Sequence, residues 1–232
     1  MSGLAEFSGQ SVVWLVRAGD CGVDWLRTRF FRLSEEHFPQ STCHVLARDI
    51  APAMRLMMAV AKRRRSPYDV LVRIDLPAEL TGSQAGGLAR LRDELPAAQR
   101  RVFLTVNHQF HRSGDGPDDV AMAFINTWPA HRSRAEAREH WVQRHGPLVL
   151  EVGLPPVITS YTQVHFAVET AYPEVFDQTY QGLSFETITS QADLVKVFAG
   201  SAALRRLNRT LLKDERNFTG PPLFSAFTTM RP

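Results

Sequence analysis

The stretch "HRSGDGPDDVAMAFINTW", residues 111–128, decides how the whole chain is read. Residues 111–119 have the Gly, Pro and Asp content of a linker. Residues 120–128 then open a strand-like apolar run, and the order of elements met before the linker starts again. Upstream, "SVVWLVRAG" from Ser11 reads as a strand. "VDWLRTRFFRLSEEHF" reads as a helix, with Trp25, Leu26, Phe30 and Leu33 at helical spacings. "STCHVLARDI" and "YDVLVRIDL" alternate as strands, "SQAGGLARLRDEL" is helical and "RRVFLTVNHQF" is rich in β-formers. Downstream, the strand "VAMAFINTW" leads into the helix "SRAEAREHWVQRH", followed by the strands "SYTQVHFAV" and "GLSFETIT". Ser190 and Asp193 would cap a long last helix buried through Leu194, Val197, Phe198, Leu204, Leu207 and Leu211, and "LFSAFTTM" closes the unit.

The pattern predicts an α+β protein made of two tandem ferredoxin-like βαββαβ repeats, residues 1–112 and 118–232. Each would form an antiparallel four-stranded sheet with helices on one face. The two uncovered faces must be buried, and packing the sheets together gives a pseudo-symmetric α+β barrel within one chain. "HFPQSTCH", around His37 and His44, echoes the later "HGP" at His145 and "TQVH" at His165 in the same slots of the repeat.

Composition excludes several classes. The chain has 232 residues, 44% of them hydrophobic and 22% charged, as in an ordinary globular protein. No apolar run approaches the roughly 20 residues of a membrane span, and no signal peptide is visible, so the expected setting is cytoplasmic. Cys21 and Cys43 supply neither a disulfide framework nor a metal knuckle. Net charge is +3, and the one basic block, Lys62 to Arg65, reads as a solvated loop. Nucleic acid and membrane are therefore not expected partners; a homodimer is compatible with the sequence.

The candidate chemistry lies in the second repeat. In "REHWVQRHGPLVL", Trp141 and His145 are four apart, about 40° around a helix, and share a face. His140, five before His145, would point about 140° away. Gly146 could take the left-handed position that ends the helix, with Pro147 barring its continuation. This is either ordinary helix punctuation or the delivery of an imidazole to a pocket. In "YTQVHF", Tyr161, Gln163 and His165 alternate onto one strand face. A phenol, an amide and an imidazole are costly to bury without partners, so this face suits either a pocket wall or a structural hydrogen-bond cluster. No phosphate loop, dinucleotide fingerprint, nucleophile elbow or zinc helix is present. Glu186 with the histidines lacks metal-ligand spacing, and no metal or cofactor is expected. "LLKDERNF" reads as a solvated helix end with Phe218 tucked back into the core.

Together "EHWVQRHGPLV", "YTQVHF", "QGLSFETI" and "KDERNFTG" resemble the EthD family of the dimeric α+β barrel proteins, over about residues 120–230. The first repeat matches only in outline: Leu33 stands where Trp141 does, and Thr42 replaces Gln163. The resemblance implies a pocket between helices and sheet in each unit. It also implies relatives that include cofactor-free decarboxylases, cyclases, isomerases and oxygenases. The expectation is a cofactor-independent lyase or isomerase acting on a small aromatic or polyketide-like compound. His145 would be its acid–base group, and His165 and Tyr161 would stabilise a developing enolate. Trp141 would stack on the substrate, and Gln163, Asn126, Glu186 and Phe218 would complete the contacts. A non-catalytic binding accessory protein and a cofactor-free oxygenase are the alternatives.

Overall fold

The computed structural model describes residues 6–48, 64–113, 120–166, 169–189, 192 and 202–230. The strands are β1 (Glu6–Val16), β2 (Thr42–Arg48), β3 (Arg64–Arg65), β4 (Val70–Leu76), β5 (Arg100–Arg112), β6 (Val120–Asn126), β7 (Ile158–Phe166), β8 (Gly182–Ile188) and β9 (Leu223–Met230). The helices are α1 (Val23–His37), α2 (Gly82–Glu94), α3 (Arg134–His140), α4 (Gly146–Val152) and α5 (Ala202–Glu215), with a π-helical turn, Trp141–His145, joining α3 to α4. None of the helices among the described residues is long and apolar enough to cross a membrane.

The sheet order is β2-β4-β1-β5-β7-β8-β6-β9-β3, with a further pairing of β2 to β9. Within each half the spatial order is fourth, first, third, second strand: β5-β1-β4-β2 and β9-β6-β8-β7. That is the ferredoxin-like order predicted from the repeat. The halves do more than pack face to face. Fourth strands pair antiparallel with second strands at both seams, β5 with β7 and β9 with β2, closing one hydrogen-bonded barrel. Closure leaves the main strands no bare edge, which removes the aggregation hazard of two open sheets.

Alternation along the strands fills both sides of this wall. Val13, Leu15, Leu71, Phe103, Ala121, Ile125, Val164, Phe166 and Leu183 fill the barrel interior, and Phe103 stacks on Phe166 across a seam at 3.8 Å. Facing outward in the first half, Val12, Trp14, Val72 and Ile74 meet Leu26, Phe30 and Leu33 of α1 and Leu88 and Leu91 of α2. Trp25 stands apart from this buried stripe. It is exposed, with the Arg29 guanidinium over its ring, because Leu26, Phe30 and Leu33 already fill the stripe that α1 turns to the sheet.

The last helix is described from Ala202 onward, so the expected cap at Ser190 and Asp193 and the apolar positions Leu194, Val197 and Phe198 lie outside the described residues. So do the side chains of Leu204 and Leu207. Two capping boxes that the sequence reading missed start other helices: Thr81 with Gln84 at α2, and Ser133 with Glu136 at α3.

Candidate functional site

The helix that carries Trp141 and His145 does not stop at Gly-Pro. Gly146 is right-handed helical, with φ −57° and ψ −54°, and the chain stays helical to Val152 before Gly153 turns it at φ 79°. The π turn makes this possible. Gly146 N–H donates to the Trp141 carbonyl, an i→i−5 bond, and Pro147 falls in the first turn of α4, where its missing N–H needs no helical acceptor. Glycine is also required there by packing: a Cβ on Gly146 would lie 2.1 Å from the Phe110 ring.

The wider turn changes which side chains share a face. His140 does not point away from His145, because residues five apart align across a π turn. His145 Nδ1–H donates to one Asp214 carboxylate oxygen at 2.9 Å, and His140 Nε2–H donates to the other at 2.9 Å. Burial alone would raise the Asp214 carboxyl, but the hydrogen bonds from His145 and His140 overcome this and hold it at about 2. One ionised carboxylate thus fixes both rings, and its bond to His145 Nδ1 leaves Nε2 as that ring's second nitrogen for proton exchange. The reading of "LLKDERNF" as a solvated end placed Phe218 correctly and passed over Asp214.

Trp141 is fully buried. Phe218 stacks on it at 5.6 Å with the rings 9° from parallel, and His165 lies against it at 4.2 Å. A Cβ on Gly182 would meet the Val164 carbonyl at 2.3 Å and the indole at 2.9 Å, so only glycine lets the ring rest on the sheet. Expected as a stacking surface for a ligand, Trp141 is here a platform for the site's own rings. His145 packs on Phe218 at 4.6 Å.

β7 supplies the polar wall. Gln163 Nε2–H donates to the Trp141 carbonyl at 3.0 Å and to the Tyr161 hydroxyl at 3.1 Å, tying the sheet to the π turn. His165 Nε2–H donates to Gln163 Oε1 at 3.1 Å. Burial drives the His165 imidazole well below its usual range, with His108 and Arg138 adding to the effect, so it is neutral at pH 7. Its Nδ1 is buried without a partner. Burial likewise raises the Tyr161 phenol far above its ordinary value, and the Gln163 bond offsets only part of this.

The structure therefore brings His145, His165, Tyr161, Trp141, Gln163 and Phe218 into one contiguous cluster. Glu186 pairs in register with Tyr161 and so stands beside it on the sheet. Asn126 is buried, and its Nδ2–H donates to the Ser184 hydroxyl at 3.5 Å. The first-repeat histidines form no equivalent. His37 packs on Gly87 of α2, and His44 sits 3.6 Å from Asp75 on the strand face that carries Leu46, the barrel side, whereas His165 faces the helices. One residue of offset reverses a strand side chain, so the shared histidine spacing does not give a shared location.

No family model and no curated protein matches the chain. Solved structures of the same fold do. An anthrone oxidase-like protein aligns over 100% of this chain and 94% of its own, at 11% identity and a TM-score of 0.60. A variant of chlorite dismutase from Candidatus Nitrospira defluvii aligns over 98% of this chain and 94% of its own, at 12% identity and a TM-score of 0.50. Identities this low establish a common α+β barrel fold.

Proposed function

We propose that the chain is a cofactor-independent enzyme that moves a proton on a small aromatic or polyketide-like compound, in a reaction of the lyase or isomerase type. The observation that supports this most is the Asp214 carboxylate holding His145 by Nδ1. It orients the ring and favours the tautomer in which Nε2 carries the exchangeable lone pair, an arrangement suited to general acid–base work. Tyr161, neutral and buried, would donate a hydrogen bond to a substrate oxygen as negative charge develops there. Gln163 and His165 hold that phenol in place, Asn126 and Glu186 extend the same wall, and Phe218 covers it. Because Phe218 packs on both Trp141 and His145, a substrate reaching His145 would displace the Phe218 ring. The EthD resemblance of these motifs and a barrel fold shared with small-molecule enzymes are consistent with this reading.

A second reading, a cofactor-free oxygenase, is favoured by the anthrone oxidase-like neighbour, which spans the full chain. It would begin with the same step: His145 takes a proton from an electron-rich ring system, and the carbanion formed reacts with oxygen. Assays of candidate phenols and anthrones with an oxygen electrode separate the readings. Turnover without oxygen uptake identifies a lyase or isomerase, and stoichiometric uptake identifies an oxygenase. No turnover across both series, with ligand binding retained, would identify a binding protein instead.

A further inference from the structure

Arg138, on α3, donates from Nη2 to the Phe166 carbonyl at the end of β7, and its Nε is buried without a partner. Among the described residues it forms no ion pair with a carboxylate, and burial alone lowers it from its ordinary range. A half-buried guanidinium left uncompensated is costly, since its charge loses water and gains no counter-charge. Two imidazoles feel that charge. His165 stands edge-on to His108 at 5.2 Å; burial pushes both below the usual histidine range, and Arg138 adds to the effect. His165 is 2% exposed, and its Nδ1 has no partner, while its Nε2 is committed to Gln163.

We infer that Arg138, His165 and His108 form a recognition site for a single carboxylate carried on an aromatic ring. A planar guanidinium with unused donors matches a carboxylate in shape and charge. One carboxylate would neutralise the Arg138 charge and give His165 Nδ1 an acceptor once that nitrogen is protonated. Arg138 and His108 are both half-buried. The site lies on the His165 side of Trp141, apart from the His145–Asp214 pair, and does not depend on His145 being catalytic.

The groups facing His165 are His108, Arg138, Gln163 and Trp141, none of them acidic, so carboxylate binding should draw a proton onto His165. The probe is benzoate, measured by titration calorimetry with benzamide as its neutral isostere. Benzoate should bind the wild type at least 10-fold more tightly than benzamide. Arg138→Gln should abolish that preference, and Arg134→Gln, at an exposed site over Trp128, should keep it. Should Arg138→Gln fold poorly, the wild type decides alone. Repeating the titration at pH 7 in buffers of different ionisation heat should show net proton uptake with benzoate, absent in His165→Gln. Equal affinity for benzoate and benzamide, or benzoate binding without proton uptake, would overturn the assignment. Turnover is not read in any arm, so the result stands apart from the fate of the acid–base proposal.

Discussion

The layer between sheet and helices exists twice in this molecule, and among the described residues its two versions differ in polarity. In the first half it is mainly apolar: Trp14 meets Phe30 edge to face at 5.2 Å, among Val12, Val72, Ile74, Leu88 and Leu91. Val175 and Phe176, from the connection between β7 and β8, join this layer beside β5, fastened by the Asp177 N–H bond to the Val102 carbonyl. Among the described residues, the equivalent layer of the second half holds Tyr161, Gln163 and His165 on the strand and His140, His145 and Asp214 at the helices, packed with Trp141 and Phe218. Burying so many polar groups stabilises little in net terms, because each bond made replaces one to water. A duplicated fold can accept this if one copy keeps an apolar core and the other carries the polar cluster.

The strongest way to break this comparison is to separate the copies. We propose a division at residues 112 and 118; fragments 1–112 and 118–232 each lose the β5–β7 and β2–β9 seams. Expressed alone they should be poorly soluble, and co-expressed they should reassociate, as read by size exclusion. Two stable, non-interacting monomers would contradict a shared barrel.

Next in size is the first-half core. Phe30→Ala should cost about 3–5 kcal/mol of unfolding free energy in a urea titration, since its site is closed on all sides. A loss below about 1 kcal/mol would mean that this half is not the stable scaffold described.

In the second half the effect should move from stability to rate. His145→Gln keeps hydrogen-bonding capacity but cannot shuttle a proton at neutral pH. It should lower turnover by about 100-fold or more with little change in ligand affinity. Turnover within a few-fold of wild type would falsify the catalytic role. His140→Gln keeps the proton-transfer ring intact and should lose less.

Asp214→Asn sharpens the electrostatic part. The folded carboxyl is held at about 2, below its ordinary value of 3.8, so ionisation stabilises the folded state. Its contribution is present above pH 3.8 and disappears as pH falls through about 2. The stability gap between wild type and Asp214→Asn, followed by thermal melts, should shrink as pH falls from about 5 toward 2. A gap that widens on acidification would reverse the assignment. The smallest effect belongs to His44→Gln. Its contact with Asp75 is half-exposed and 3.6 Å long, so stability should change by less than about 1 kcal/mol and any turnover should be unaltered.

Much of this was legible in the chain. The order of apolar runs around the linker yields the two βαββαβ units, because strand and helix periods of two and 3.6 are local properties. Period two also places Tyr161, Gln163 and His165 on one face, with Val164 and Phe166 on the other. The end of the Trp141 helix misleads for an equally local reason: Gly-Pro is a stop signal in isolation. Only the packing of Phe110 against Gly146, and of Gln163 against the Trp141 carbonyl, shows why the chain widens into a π turn there and continues.

By itself, the sequence determined the repeat, the strand faces and the residue types available for chemistry, since these follow from spacing along one element. The tertiary structure alone decided that the sheets close edge to edge, that His140 joins His145, and that both share Asp214. It also decided that His44 faces the barrel while His165 faces the helices. These depend on pairings between segments far apart in the chain: β2 with β9, β5 with β7, and His145 with a carboxylate 69 residues away. No local periodicity encodes such contacts, and each appears only when the apolar faces find one another.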